Sequence, residues 1–252
     1  MKQVQLHTKY NFLQDKVEAI INNFDNKGEY VVEGGRNTIK KIKTADLELN
    51  IKSYKVPKWF NSIAYVYFRK SKAERSFTYA SKLIEMGIKT PFPIAYVEEK
   101  NWLGLQKSYY ICEHFNFDFE YREVVDTPIY KNREEIIKQF TDFSFKLHNL
   151  GVNFLDHSPG NTLIKQVTPN KYEFYLIDLN RMKFEEMSIE DRMFNLRRMW
   201  MSKRMIKEIA KHYAILSNEP YEKLYGLLLQ YSKEFKKKKL RKKYLKKKFL
   251  KR

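Results

Sequence analysis

The sequence predicts an α+β fold, in which a small antiparallel sheet with one helix precedes a larger, mainly helical region. Segments 37–42 and 47–52 alternate polar and apolar residues with a period of two, as half-buried strands do. Segment 133–150 instead repeats its apolar residues at helical spacing. A chain of 252 residues is long enough to form two lobes, each with its own core.

A glycine-containing turn joins the first two predicted strands, 30–33 and 37–42. Glycine has no side chain, so its backbone can approach a ligand closely and direct N–H groups toward a phosphate. Gly34, Gly35 and Arg36 are therefore candidate nucleotide-binding residues. The full G-x-G-x-x-G pattern is absent, and the same residues are equally consistent with a plain hairpin turn.

Lys52 lies on the third predicted strand, where the alternation places it on the face opposite Leu49 and Ile51. A lysine on this strand can reach the α- and β-phosphates of a nucleotide as a point charge. The alternative is a solvated surface lysine, because several other lysines occur nearby.

Residues 71–86 have the apolar spacing of an amphipathic helix, with Ser71 as the N-terminal cap. Glu74 is either part of this cap or the acidic partner of Lys52. Ser76 occupies the core-facing position on that side of the helix.

Two further strands, 94–97 and 108–112, end at Glu113. In a two-lobed nucleotide-binding protein, the hinge between the lobes usually follows such strands, and its backbone groups contact the adenine of the nucleotide. Glu113 is therefore a candidate nucleotide-binding residue by position. After the helix 133–150, segments 188–216 and 219–234 are again predicted to be helical. His148, near the end of its helix, is expected to interact with the terminal carbonyls and the helix dipole.

The stretch 153–161 carries the strongest functional pattern of the sequence. Asp156 precedes Asn161 by five residues, which is the spacing of a protein-kinase catalytic loop. In that loop the Asp accepts the proton of the attacking hydroxyl and the Asn holds Mg²⁺. Asp178 follows the apolar strand 174–177, where a kinase places its second metal-holding Asp.

These residue types fit phosphoryl transfer, because hard oxygen ligands must fix Mg²⁺ against the phosphates while a third oxygen orients the nucleophile. The alternative interpretation is a β-hairpin in which Asp156 is a turn residue and Asp178 a surface residue. The order of helix, loop, strand, turn and strand favours the kinase interpretation over spacing alone.

The net charge of +19 is concentrated at the C-terminus, where residues 233–252 carry a net +12. Such a polybasic tail is expected to dock on an anionic membrane surface, and a merely solvated tail is the alternative. Nucleic acid is disfavoured as a partner, because no nucleic-acid-binding motif accompanies the charge. A single cysteine, Cys112, excludes an internal disulfide framework. No run approaches the roughly 20 apolar residues that span a bilayer, and residues 1–7 lack a secretory core, so cytoplasmic residence is expected.

In this order, the sequence elements resemble the Kdo/WaaP lipopolysaccharide kinase family, in the form found in Bacteroides-type bacteria. The resemblance covers roughly residues 30–200. The residues that carry it are Gly34-Gly35-Arg36-Asn37, Lys52, 68–77, 87–93, Asp156 to Asn161 and Ile177 to Arg181.

The resemblance implies a two-lobed protein-kinase-like fold and ATP-dependent phosphorylation of a sugar hydroxyl, on Kdo or heptose, in the lipopolysaccharide inner core. It places this reaction at the inner face of the cytoplasmic membrane. It also implies that Asp156 is the catalytic base, that Asn161 and Asp178 bind Mg²⁺, and that Lys52 contacts the ATP phosphates. The implied organisation is an N-terminal extension, a nucleotide-binding lobe, a catalytic lobe and a tail, over residues 1–29, 30–115, 116–232 and 233–252.

Two positions depart from the kinase pattern. Phe154 stands where such kinases usually carry a histidine that braces the loop, and Ser76 stands where the helix glutamate is expected. Two alternatives therefore stay open beside the lipopolysaccharide kinase. One is a small-molecule kinase of the aminoglycoside or sugar type, and the other is a pseudo-kinase scaffold without activity.

Overall fold

The computed structural model describes residues 1–34, 37–45, 47–55, 70–102 and 104–249. These residues form two compact units. Unit 1 comprises Met1–Asn116 with Asp178–Asn180, and unit 2 comprises Phe117–Ile177 with Arg181–Arg252. Of the predicted site residues, Gly35 and Arg36 lie outside the described residues.

Unit 1 contains a six-stranded sheet in which every neighbouring pair is antiparallel. Its strands are β1 Lys2–Leu6, β2 Glu29–Val32, β3 Asn37–Lys43, β4 Glu48–Tyr54, β5 Pro93–Asn101 and β6 Gly104–Glu113. Their order across the sheet is β1-β5-β6-β4-β3-β2. The predicted alternation on β4 is present, because Leu49 and Ile51 are fully buried. The predicted loop at 98–107 is largely strand, since β5 and β6 extend into one long hairpin.

The segment 1–29, predicted as an extension, contributes to the sheet and core of unit 1. Strand β1 pairs with β5, and helix α1 Gln14–Asn22 buries Val17 and Ile21. A 3₁₀ turn over Thr8–Leu13 buries Tyr10, and a second turn spans Phe24–Asn26. The apolar residues here are distributed over several short elements, so no single periodicity in the sequence predicts these elements.

Helix α2 Lys72–Glu85 begins and ends as the sequence predicts. The Ser71 hydroxyl accepts a hydrogen bond from the Glu74 amide at 3.1 Å, which caps the first turn. Gly87 follows with a φ of 70°, a left-handed conformation in which glycine is favoured. Ser76 is buried, and its hydroxyl hydrogen-bonds the Tyr54 hydroxyl at 2.8 Å.

Unit 2 is mainly helical. Its helices are α3 Tyr121–Asp126, α4 Arg133–Asn149, α5 Ile189–Leu196, α6 Lys203–Ser217 and α7 Tyr221–Phe249. Strands β9 Thr162–Thr168 and β10 Lys171–Leu176 form the predicted hairpin, with β7 Phe119–Glu120 beside β9. A short pair joins β8 Val152–Phe154 to β11 Met182–Phe184.

The predicted helix 188–216 is interrupted in the structure. Helix α5 passes into a 3₁₀ turn over Arg197–Met199, and Trp200 then adopts a left-handed φ of 54°. Ser202 caps the start of α6 by accepting a hydrogen bond from the Met205 amide at 3.2 Å. The break could not be predicted from the apolar pattern, because Met199 before it and Met201 after it are both buried.

Helix α7 continues through the predicted tail without a break at residue 233, and every described residue from Lys237 onward is exposed. None of the helices in the described part of the chain combines the length and apolar character needed to cross a bilayer.

Candidate active site

In unit 1, the structure brings the predicted phosphate-binding lysine to the predicted metal-binding aspartate. The Lys52 Nζ lies 2.6 Å from the Asp178 Oδ1, although the two residues are 126 positions apart. The side-chain amide of Asn180 donates to the same oxygen at 2.7 Å. Strand β4 supplies the lysine, and the three residues Asp178–Asn180 belong to unit 1 although their chain neighbours belong to unit 2.

The backbone of Asp178 supports a functional interpretation. Its φ is 58°, in the left-handed region that non-glycine residues adopt infrequently. Such conformations carry a cost and persist where surrounding contacts enforce them, often at functional sites. Here the bonds from Lys52 and Asn180 hold the carboxylate in place.

Within the described part of the chain, Lys52 pairs with Asp178 and not with a glutamate of helix α2. Its side chain is only 14% exposed, and its Nζ lies 5.3 Å from the centre of the Tyr54 ring. Burial raises the pKa of the Tyr54 hydroxyl above its usual range, so this group is neutral and bonds to Ser76. Glu74, the proposed partner, instead pairs with Lys70 at 3.2 Å.

The remaining nucleotide-binding candidates in unit 1 are placed as follows. Glu113 ends β6, where its carboxylate accepts a hydrogen bond from the Tyr10 hydroxyl and its amide donates to the Phe92 carbonyl at 2.9 Å. Gly34 lies in the described part of the β2–β3 turn, and an added Cβ would first meet the Asn37 carbonyl at an ordinary 3.5 Å. Their contact with a nucleotide stays a prediction.

In unit 2, the predicted base Asp156 is contacted by two arginines. The Arg198 Nη2 lies 2.7 Å from the Asp156 Oδ1. The Arg181 Nη1 lies 3.4 Å from Oδ1 and 3.3 Å from Oδ2. The sequence pattern includes Arg181 only as part of a motif and does not single out Arg198, which lies 42 positions beyond the aspartate on a 3₁₀ turn.

Asn161 forms a hydrogen bond within the same loop. It ends a 3₁₀ turn over Pro159–Asn161, and its side-chain amide donates to the Asp156 carbonyl at 2.9 Å. Because the nitrogen is used in this bond, the side-chain oxygen is the atom with which Asn161 could ligate a metal ion. Its own carbonyl accepts the Ile177 amide at 3.0 Å, which ties the loop to the end of the β9–β10 hairpin.

Asn195 on α5 braces the loop backbone, a role that the sequence analysis did not assign. Its amide nitrogen donates to the Phe154 carbonyl at 2.9 Å, and its oxygen accepts from the His157 Nδ1 at 3.1 Å. Arg198 adds a bond from Nη1 to the Leu155 carbonyl at 2.9 Å. The loop therefore has polar support although Phe154 replaces the usual histidine.

Two buried histidines complete this support. His148 contacts the Tyr213 hydroxyl at 2.8 Å and the Asn195 oxygen at 3.4 Å, instead of capping the end of α4 as the sequence suggested. Burial lowers the pKa of His148 to about 3 and that of His157 to about 4, so both are neutral near pH 7. A neutral pair can share one amide oxygen without placing a charge in the core.

Each unit carries an oxygen ligand of a kind that suits Mg²⁺. In unit 1 it is the carboxylate of Asp178, and in unit 2 it is the side-chain amide oxygen of Asn161. Among the described residues, no group of three or more His, Cys, Asp or Glu side chains forms a self-sufficient metal cluster.

Comparison with solved structures finds a similar chain entitled "WaaP in complex with acyl carrier protein". The TM-score is 0.63 and the sequence identity is 15%, with 93% of this chain and 98% of that chain covered. Similarity at this level of identity concerns the fold, and it confirms the predicted two-lobed α+β class. Comparison with curated protein sequences finds no match.

A family model described as "Lipopolysaccharide kinase (Kdo/WaaP) family" matches residues 24–218, which is more than half of the sequence. The match includes Lys52, Asp156, Asn161 and Asp178, and it confirms the resemblance that the motifs indicated. The chain belongs to the Kdo/WaaP lipopolysaccharide kinase family.

Proposed function

We propose that this kinase transfers the γ-phosphoryl group of ATP, with Mg²⁺, to a hydroxyl of Kdo or heptose in the lipopolysaccharide inner core. The single observation that carries the proposal is the 2.6 Å ion pair between Lys52 and Asp178. It joins two residues that the kinase pattern assigns to phosphate and metal binding. Membership of the lipopolysaccharide kinase family supplies the acceptor class.

Each residue has a separate task in the proposed reaction. Lys52 places a positive charge against the nucleotide phosphates, and Asp178 and Asn161 would hold Mg²⁺ through oxygen. When bound, Mg²⁺ neutralises the negative charge on the phosphates. Asp156 orients the sugar hydroxyl and accepts its proton as the new O–P bond forms, while ADP leaves with the electrons of the broken bond.

The place of action is proposed to be an anionic membrane surface. Lys237 to Lys248 contain nine lysines and arginines without an acidic residue, on an exposed part of α7. Near an anionic leaflet, each such charge gains roughly 1 kcal/mol. The apolar side chains Leu240, Tyr244, Leu245 and Phe249 are interleaved with lysines around the helix, which favours surface docking over deep insertion.

The phosphotransfer role is tested by Asp156→Ala. Transfer of labelled phosphate from ATP to rough lipopolysaccharide should fall by at least about 100-fold, because the hydroxyl loses the group that orients and deprotonates it. Asp142→Ala is the matched control, since Asp142 is an exposed aspartate paired with His212. Activity that persists in Asp156→Ala while the control is also active would refute the role of Asp156.

The nucleotide site is tested separately by thermal unfolding with Mg·ATP. At a ligand concentration 100 times the Kd, binding stabilises the folded state by about 2.7 kcal/mol, or roughly 5–10 °C for a chain of this size. We expect this shift in wild type and in Asp156→Ala. It should be lost in Asp178→Ala and after chelation of the metal.

Two alternatives remain and differ in these measurements. A pseudo-kinase scaffold would show no Mg·ATP shift in wild type. A small-molecule kinase would show the shift and would be indifferent to loss of the exposed tail. Because the solved WaaP chain is in complex with acyl carrier protein, binding of that protein to the tail is a further outcome to measure beside vesicle binding.

A further inference from the structure

The two arginines that contact Asp156 differ in how firmly they are held. Arg198 is 21% exposed, lies 2.7 Å from the carboxylate and also donates to the Leu155 carbonyl at 2.9 Å. Arg181 is 54% exposed and lies 3.3 Å away at its shortest approach. Its contacts to Asp156 both come from Nη1, at distances longer than a typical charge-assisted hydrogen bond. Arg198 therefore fixes the loop, whereas Arg181 is held loosely.

The charges around Asp156 do not balance. One carboxylate faces two guanidinium groups, so this cluster has a local charge of +1. In the absence of nucleotide, a neutral sugar would leave this excess in place. A substituent with negative charge would compensate it, and a planar guanidinium fork matches a carboxylate or phosphate through two parallel hydrogen bonds.

We propose that Arg181 is an acceptor-specificity residue, which binds a carboxylate or phosphate carried by the sugar close to its accepting hydroxyl. The inference rests on the proposed function, since it concerns the acceptor of the same reaction. It narrows the acceptor class to acidic sugars and disfavours neutral ones.

The geometry gives the arginine a second effect on the reaction. The accepting hydroxyl must come within about 2.6–3.2 Å of an Asp156 oxygen, but Arg181 lies against both of them. When the anionic group of the sugar takes over the Arg181 guanidinium, Oδ2 is released to the hydroxyl. Oδ1 stays with Arg198, so the carboxylate keeps its orientation while one lone pair becomes available.

Arg181→Gln tests this inference by sugar binding without nucleotide, measured by calorimetry. The probes are free Kdo, which carries a carboxylate, mannose 6-phosphate, which carries a phosphate, and mannose, which is neutral. Wild type should bind at least one of the acidic sugars more tightly than mannose, and Arg181→Gln should weaken that binding at least 10-fold. The acidic sugar that responds identifies whether the carboxylate or the phosphate is the recognised group.

Arg204→Gln is the matched control, because Arg204 is 70% exposed and also pairs with carboxylates, those of Glu134 and Glu208. It should bind the acidic sugar as wild type does. Three outcomes would overturn the inference. Wild type could bind acidic and neutral sugars equally, or it could bind none of the three. Arg181→Gln could also lose affinity equally for acidic and neutral sugars. Because no ATP is present, these outcomes are independent of whether phosphoryl transfer occurs.

Discussion

Asn195 connects three segments of unit 2 through one side-chain amide. Its nitrogen holds the Phe154 carbonyl at 2.9 Å and the Asn153 side-chain oxygen at 3.0 Å, and its oxygen accepts from His157 and His148. Asn195 is 4% exposed, and Phe154, His148 and His157 are buried as well, so their polar groups would otherwise be unpaired in the core. The support that a loop histidine gives in other kinases is thus supplied here from α5.

We predict that Asn195→Ala destabilises the protein and slows the reaction. Loss of the amide leaves buried donors and acceptors unpaired, which costs about 1–3 kcal/mol for each group that stays unsatisfied. Denaturant midpoints measure the stability, and labelled phosphate transfer measures kcat. We expect kcat to fall more than KM changes, because Asn195 supports the loop without touching the substrate.

Asn170→Ala is the control for this variant. Asn170 is exposed at the β9–β10 turn, and its side chain is bonded only weakly, at 3.3 Å to Asn132. Asn170→Ala should change the free energy of unfolding by no more than about 0.5 kcal/mol. If Asn195→Ala behaved like this control, the bracing role would have to be abandoned.

The elements around the loop 153–161 depend on one tight junction. Gly151 lies between α4 and β8 with a φ of 69°, and a Cβ added there would meet the Glu185 carbonyl oxygen at 2.8 Å. Both the backbone conformation and the space therefore require glycine. The close approach allows β8 to pair with β11, which sets the direction in which the chain enters the loop.

Gly151→Ala should lower the free energy of unfolding by more than about 1 kcal/mol, because alanine is strained at positive φ and has no room. Gly226→Ala provides the contrast within the same unit. Gly226 lies inside α7, and an added Cβ would meet nothing within 4 Å, so alanine should stabilise the helix by roughly 0.5–1 kcal/mol. Equal effects of the two substitutions in urea melts would contradict this assignment.

Strongly periodic or capped elements could be predicted from sequence. Helices α2 and α4 and the β9–β10 hairpin lie where their patterns indicate. Lys52 and Asp178 are site candidates because their order along the chain matches the kinase pattern, and the structure joins the two in an ion pair.

Features that depend on tertiary contacts could not be predicted in this way. Residues 1–29 show no single period, since their strand pairing with β5 is made over about 90 positions. Asn195 and Arg198 act through contacts to the loop more than 40 positions earlier, and nothing in their local sequence distinguishes them from ordinary helix residues. The break at Trp200 is hidden for the same reason, because the apolar pattern continues through it.

At the scale of the whole molecule, charge is distributed very unevenly. Residues 237–252 carry eleven of the lysines and arginines and no acidic residue, so the rest of the chain has a net charge of only +8. The structure also locates where the packed part of α7 ends. Phe235 contacts the Trp200 ring with 5.7 Å between ring centres, and the Lys236 Nζ donates to the Met201 carbonyl at 2.7 Å.

Truncation after Lys236 should therefore abolish membrane docking without disturbing the fold. Binding to vesicles with anionic lipid should weaken by at least about 100-fold in sedimentation assays, since eleven charges each worth up to roughly 1 kcal/mol are removed. Wild-type binding should also weaken as salt is raised. The thermal shift with Mg·ATP should be unchanged, and full vesicle binding by the truncated chain would rule out the tail as the docking element.

The aromatic ring of Phe235 has one more neighbour, the Arg198 guanidinium, whose central carbon lies 5.6 Å from the ring centre. Arg198 in turn holds the Asp156 carboxylate. Two side-chain contacts thus connect Phe235, where the packed part of α7 ends, to the proposed base. Under the proposed docking of this helix on a bilayer, attachment would act close to the guanidinium that orients the aspartate.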